Sequence, residues 1–242
     1  MTAKFKELYV SQLRLDVDGN QLFCDGLELE ADVRTLAQMK KVLFDEKFAE
    51  TADPQTPTYF MYRGVCKSPE LELKDTRYDL TIIPSLSLGS EYNKTFGHYH
   101  TDARPGLTFP EVYEVLEGEA HYLLQKKEGS KLSEAKLIKA RAGDVVIVPP
   151  NFGHVTINPG KDALVMANLV STKFNSDYSE YESKQGAAYY ELVGGKFLKN
   201  EHYEAPPSLK IEKAQSELRD ILSVFLNEPE KFAFLNAPWK LK

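Results

Sequence analysis

From Thr58 to about Val170 the chain is a run of short β-type segments separated by turn residues, and this texture limits the fold more than any other feature. The candidate strands are Tyr59–Val65, Tyr78–Ile83, Glu111–Leu116, Ala120–Gln125, Lys136–Lys139, Asp144–Val148 and Leu164–Leu169. Gly, Pro, Asn and Asp punctuate them, as in Glu117-Gly118-Glu119 and Ala142-Gly143-Asp144, where the backbone must reverse. Many short strands at close spacing predict a sandwich, jelly roll or barrel.

Both flanks read as helical. Leu36, Met39 and Leu43 stand at helical spacing within Ala31 to Asp45, which predicts one amphipathic helix ended by Asp53-Pro54-Gln55-Thr56-Pro57. Near the other end Ile211, Ala214, Leu218, Ile221, Leu222 and Phe225 form an apolar stripe bounded by Pro206-Pro207 and Pro229. Phe232, Phe234, Leu235 and Trp239 make the tail too apolar for water, so it is expected to pack on the barrel or at a subunit contact.

Composition excludes several classes. Hydrophobic residues at 42% and charged residues at 27% are ordinary for a globular chain. No apolar run approaches the roughly 20 residues that span a bilayer. A net charge of −6 disfavours nucleic-acid binding, although a local cluster of donors can still hold a small anion. The first seven residues, Met1 to Glu7, lack the apolar stretch of a secretory leader, and Cys24 and Cys66 are expected to be reduced, buried thiols. A cytoplasmic location is the expectation.

Two of the five histidines stand at Gly97-His98-Tyr99-His100. Residues i and i+2 of a strand project from one face, so two imidazoles there can reach one ion. A turn-rich stretch, Thr101 to Pro110, is expected to loop at the barrel mouth before Glu111-Val112-Tyr113-Glu114-Val115-Leu116-Glu117-Gly118. Alternation places Glu111, Tyr113 and Val115 on one face and Val112, Glu114 and Leu116 on the other; an inward Glu111 needs a cation or a donor beside it. The apolar run Val145 to Val148 is expected to be buried and to deliver His154 from the turn that follows. His121 and His202 have no expected part in the site, and no role is assigned to the flanking Lys94 and Arg104.

His-x-His followed by Glu-x6-Gly resembles the first cupin motif, and Gly-x5-Pro-x4-His-x3-Asn, from Gly143 to Asn158, resembles the second. The His100–Glu111 gap is longer than usual in cupins, and Asn151 stands where a glycine is common. Within the superfamily, Thr95-Phe96-Gly97-His98-Tyr99-His100, Glu111-Val112-Tyr113, Val148-Pro149-Pro150 and His154 are similar to the cupin-type glucose-6-phosphate isomerases of archaea and some bacteria. The likeness covers about residues 55–180.

The resemblance implies a mainly β fold, a cupin β-barrel or jelly roll with an N-terminal helix and a C-terminal helical extension. It divides the chain into an N-terminal extension (1–57), a metal-binding barrel (58–180) and a C-terminal segment (181–242). It implies one divalent ion on His98, His100, Glu111 and His154, with Fe²⁺ favoured over Mn²⁺, Ni²⁺ or Zn²⁺. Glu111 doubles as the candidate catalytic base. Thr81, Thr95 and Gly97 are implied as phosphate donors, and Tyr62, Tyr113 and Tyr178 match tyrosines of the sugar site, while Val170 stands where a further tyrosine is expected. The implied partners are a phosphorylated sugar and a second copy in a homodimer. Two other readings use the same ligands: a cupin oxygenase with a redox metal and an apolar pocket, and a sugar- or metal-binding cupin without turnover.

Overall fold

The computed structural model describes residues 5–7, 13–16, 21–24, 26–65, 67–129, 131–215 and 217–241. Among these, the larger strands build two facing sheets. One has six strands in the order Val145–Val148, Glu111–Glu117, Leu164–Ser171, Thr76–Ile83, Pro57–Tyr62 and Asp32–Thr35. The other has eight and runs Lys196–Lys199, Tyr189–Leu192, Glu91–Lys94, Phe152–Asn158, Glu119–Glu128, Lys131–Arg141 and Leu209–Lys213, with Ser87–Leu88 on the edge of Glu91–Lys94. From Glu111 to Ser171 the chain crosses between the sheets four times: Glu111–Glu117, Val145–Val148 and Leu164–Ser171 join the six-stranded sheet, and the hairpin Glu119–Glu128/Lys131–Arg141 and Phe152–Asn158 join the eight-stranded one. This is the cupin-type double-sheet barrel that the two motifs predict.

The six-stranded sheet is covered on both faces, and strand alternation decides which residue meets which cover. Its outer side presents Tyr78, Leu80, Ile82, Val112, Val165, Ala167 and Leu169 to an apolar cluster shared with the N-terminal hairpin and the C-terminal tail. Its inner side presents Ile83, Tyr113, Val115 and Met166 to the main core between the sheets. All eight residues of Leu164–Ser171 are therefore buried, although the segment includes Asn168 and Ser171.

The helical flanks differ from the sequence pattern in extent. Asp32–Thr35 pairs as a strand with Pro57–Tyr62, and the helix expected across Ala31 to Asp45 is reduced to Leu36–Met39 with a 3-10 turn after it. A separate short helix, Glu46–Thr51, is capped by Asp45, whose side chain accepts from the Phe48 N–H at 2.9 Å. At the other end the described α-helix is Ile221–Asn227, followed by 3-10 helices Pro229–Leu235 and Pro238–Lys240; Leu209–Lys213, which holds the start of the apolar stripe, is an edge strand parallel to Lys131–Arg141. The C-terminal segment thus supplies three sheet strands as well as a helix. Cys24 is half-buried in the N-terminal hairpin, and Cys66 lies outside the described residues. No described helix is long and apolar enough to cross a membrane.

The tail docks through one buried carboxylate. Glu114 has no exposed surface and accepts backbone N–H groups from Asp220 (2.7 Å) and Ile221 (2.9 Å), the start of the C-terminal helix. Ile221, Leu222, Phe225, Phe232, Phe234 and Leu235 then close over the outer face, as the apolar tail predicts. Glu114→Ala should leave the buried Ile221 N–H and the half-buried Asp220 N–H unpaired and lower the unfolding free energy by about 2–3 kcal/mol. Urea denaturation checks this, and bound metal should stay at the parent level.

Candidate metal centre

His98, His100, Glu111 and His154 come together inside the barrel, with one donor atom of each lying within 4.8 Å of the others. His98 and His154 face each other across an antiparallel bridge closed by His98 N–H to His154 O (3.2 Å) and His154 N–H to His98 O (3.0 Å). His154 sits within strand Phe152–Asn158 rather than on the turn expected from the sequence. The reversal happens earlier, at Pro149 to Asn151. Asn151 takes the left-handed backbone (φ 69°), which Asn tolerates, so the glycine usual there is dispensable. Its side-chain oxygen accepts from the Thr108 N–H at 3.0 Å, tying down the stretch between His100 and Glu111. That stretch is a small hairpin, Asp102–Arg104 with Leu107–Thr108, and not an open loop.

A glycine precedes each bridged histidine for a steric reason. At Gly97 (φ +87°) a Cβ would lie 2.5 Å from the Tyr181 ring and 2.6 Å from Val155 Cγ2. At Gly153 it would lie 2.7 Å from Tyr99 Cζ. Tyr99 and Tyr181 occupy that space from below and hold the two histidine segments up to the cavity.

The hydrogen bonds around the cluster orient its donors. His100 Nδ1 lies 2.8 Å from the Phe109 carbonyl, which can only accept, so Nδ1 carries the proton and Nε2 keeps its lone pair for the cluster. Asn168 Nδ2 donates to Glu111 Oε1 at 2.7 Å, leaving Oε2 facing His100 Nε2 (3.3 Å) and His154 Nε2 (3.4 Å). Despite that proximity, His100 Nε2 and Glu111 Oε2 are buried without a hydrogen bond among the described residues. Orphaned buried atoms of this kind are costly. A divalent cation among three imidazoles and a carboxylate satisfies both, so the residues present fit a metal.

Electrostatics agree with that chemistry. Burial holds the imidazole pKa of His98 well below its ordinary value, with the neighbouring His154 and His100 adding to the effect. Burial also lowers His154, against the opposing pull of Glu111. Burial alone would raise the Glu111 carboxyl, but His100 and His154 outweigh it and keep it below the usual carboxylate range. Burial thus favours the neutral form of His98 and His154, and Glu111 is held ionised, the forms that bind cations.

The cluster opens into a cavity of about 440 Å³ whose wall includes Thr81, Thr95, Gly97, Tyr113 and Tyr178. Tyr113 OH lies 3.1 Å from His154 Nε2, and burial raises its pKa well above the phenol value, so it keeps its proton. Tyr62 is not part of this wall. In Pro57–Tyr62 the residues facing the cavity are Tyr59 and Met61, and Tyr62 points the other way, its hydroxyl accepting from the Leu22 N–H at 3.3 Å. Arg63, Arg77 and Asp79 do line the cavity and were not anticipated; the 77-79-81 alternation that exposes Thr81 inward is the signal that finds two of them. Lys94 is buried against Glu91, Arg104 stacks on Trp239, His121 pairs with Glu191, and His202 is exposed against Gln185.

The family model described as glucose-6-phosphate isomerase (GPI) matches residues 33–208. The chain belongs to this family. A glucose-6-phosphate isomerase of Thermococcus litoralis is 31% identical over 156 residues, 63% of this chain and 75% of that protein. One of Pyrococcus abyssi is 31% identical over 172 residues, 71% of this chain and 85% of that protein. Among solved structures, an oxalate decarboxylase from Bacillus subtilis gives a TM-score of 0.34 at 19% identity, covering 49% of this chain and 28% of that one. A likeness that loose carries no weight here. The matched stretch contains both histidine segments, Glu111 and every residue of the cavity wall.

Proposed function

We propose that the chain interconverts glucose 6-phosphate and fructose 6-phosphate, the aldose–ketose step shared by glycolysis and gluconeogenesis, with one divalent ion held by His98, His100, Glu111 and His154. The observation that carries this reading is a four-residue cluster, three of whose side-chain atoms (His100 Nε2, Glu111 Oε2 and His154 Nδ1) lack a partner among the described residues, at the wall of a polar cavity in a glucose-6-phosphate isomerase family chain. When bound, the ion supplies a Lewis acid that polarises the substrate carbonyl. Fe²⁺ is the favoured ion, with Mn²⁺, Ni²⁺ and Zn²⁺ chemically competent on this donor set.

The chain's own groups supply the rest. Glu111, ionised and steered by Asn168, takes the C2 proton of the open-chain aldose and returns it to C1, while the O2 hydroxyl proton passes to O1 so that the carbonyl moves from C1 to C2. A hydride shift between the carbons would instead leave Glu111 as a ligand alone, and loss of substrate deuterium to solvent separates the two routes. Tyr113, protonated beside His154, donates toward a substrate oxygen. Thr95 Oγ1 accepts from the Thr156 N–H at 3.0 Å, which leaves its own O–H free to donate to phosphate, with Thr81 and the Gly97 backbone beside it. Tyr178, whose ring lies 5.4 Å from that of His98, closes the sugar side. A homodimer is the proposed assembly and the cytoplasm the proposed location.

The arginines and the aspartate in the wall disfavour the oxygenase alternative, for which an apolar pocket is expected. A coupled assay of fructose 6-phosphate conversion tests the reading directly. Turnover with an added divalent ion is expected; none with Fe²⁺, Mn²⁺, Ni²⁺ or Zn²⁺ would sink the isomerase.

A further inference from the structure

Residues 172–178 run along the rim of the cavity as a strap. Thr172, Lys173, Asn175 and Asp177 are exposed, while Phe174, Ser176 and Tyr178 are half-buried and line the cavity. Both ends of the strap are tied down. The Thr172 N–H donates to the Asp75 carbonyl at 2.9 Å, and Lys173 pairs with the Asp75 carboxylate at 2.6 Å. Further along, the Thr101 N–H donates to the Asn175 carbonyl and the Asn175 N–H to Thr101 Oγ1, both at 3.3 Å. Ser176–Asp177 then pairs with Tyr99–His100. Held in this way, the strap turns one ring onto each histidine of the pair: Phe174 onto His100 and Tyr178 onto His98, with centroids 3.9 and 5.4 Å apart.

Phe174 is the one apolar residue between Ser171 and Asp177. Its ring lies within 30° of the plane of the His100 imidazole, and the Phe109 ring packs on it at 5.8 Å. The rings of His98 and His154 stand 5.1 and 5.3 Å from that of His100, whose side chain is thereby left with no exposed surface. A phenyl ring has neither donor nor acceptor, so Phe174 is no ligand and carries no proton. What it does in this position is fix the plane of the imidazole and fill space that water would take. Glu111 Oε2 lies 3.3 Å from Nε2 of the same imidazole, so the sheltered space reaches the carboxylate.

We propose that Phe174 caps the metal cluster against water, slowing loss of the ion and keeping the transferred proton between Glu111 and the sugar. The first effect needs only the metal centre; the second rests on the isomerase reading. Release of an ion requires water or a chelator to approach as each donor lets go, and the phenyl ring blocks that approach beside His100. In the proton transfer the C2–H bond breaks to Glu111, and under the cap the same proton forms the C1–H bond before solvent replaces it. Phe174 is thus a positioning and water-excluding residue that acts through His100 and Glu111.

Phe174→Ala, loaded with one divalent ion and challenged with excess EDTA, is expected to lose metal about 10- to 100-fold faster than the parent, the affinity that groups supporting a ligand contribute appearing in the off-rate. Phe174→Leu keeps an apolar cover and should release metal at close to the parent rate, which separates the cap from a general loosening of the strap. The second readout uses 2-deuterated glucose 6-phosphate in ordinary water. NMR of the fructose 6-phosphate formed should find less deuterium at C1 with Phe174→Ala than with the parent, while KM changes little. Metal release at the parent rate in Phe174→Ala, or deuterium retention equal to the parent's, would overturn the cap and leave the isomerase standing. Fast metal release from Phe174→Ala, where the parent itself shows no isomerase turnover, would overturn the isomerase and leave the cap on the metal.

Discussion

Glu111→Gln is expected to lower kcat for fructose 6-phosphate by about 100- to 10,000-fold, the usual contribution of a positioned general base. The substitution is nearly isosteric, so packing against Asn168 should survive, while the amide can neither accept a proton from carbon nor offer an anionic oxygen to an ion. Glu111 lies 3.3 Å from His100 Nε2 and 3.4 Å from His154 Nε2, so the same carboxylate faces the ion and the reacting carbons. Metal analysis of the variant separates the two duties. One equivalent of metal with collapsed kcat assigns Glu111 chiefly to proton transfer, and parallel loss of both assigns it chiefly to ligation. A kcat within tenfold of the parent would remove Glu111 from the mechanism.

His154→Ala is expected to lower bound metal and activity together. Deleting the ring opens one side of the cluster and takes away the hydrogen-bond partner of Tyr113. The backbone bridge between positions 98 and 154 does not depend on the side chain, so the fold should persist. Second-sphere changes alone cost about 10- to 100-fold in metal affinity, and loss of a direct ligand should cost at least as much. Circular dichroism with metal analysis checks this; one equivalent of metal per chain in the variant would contradict the ligand assignment.

The sequence carried some of this arrangement and hid the rest for identifiable reasons. The four donors lie in motif spacings that are local along the chain, and alternation puts Glu111 and Tyr113 on one face of their strand, with the structure deciding that this face is the inner one. The phase of Pro57–Tyr62 does not follow in this way. Tyr59, Phe60, Met61 and Tyr62 are all large and apolar because the strand is covered on both faces, so alternation gives no contrast against which to check Tyr62, which the resemblance alone implies for the sugar site and which faces the other way. Arg63 and Arg77 carry no signal in the sequence, because their place in the cavity wall depends on a pairing register between strands far apart in the chain. The stripe at Ile211 and Ala214 fits helical spacing, but the free edge of Lys131–Arg141 captures Leu209–Lys213 as a strand, a choice made by a distant partner. His154 is expected on the turn that follows Val145–Val148, but the reversal ends at Asn151 and Gly153 already lies in the next strand. The structure shows that glycine serving the packing of Tyr99 within a strand.

The central claim is that isomerisation depends on an ion at the His98, His100, Glu111 and His154 cluster. It is tested most directly by following fructose 6-phosphate turnover and metal content through chelation and reconstitution. Turnover should fall in proportion to metal removed and return as one divalent ion per chain is restored. Full turnover in protein stripped of metal would contradict it.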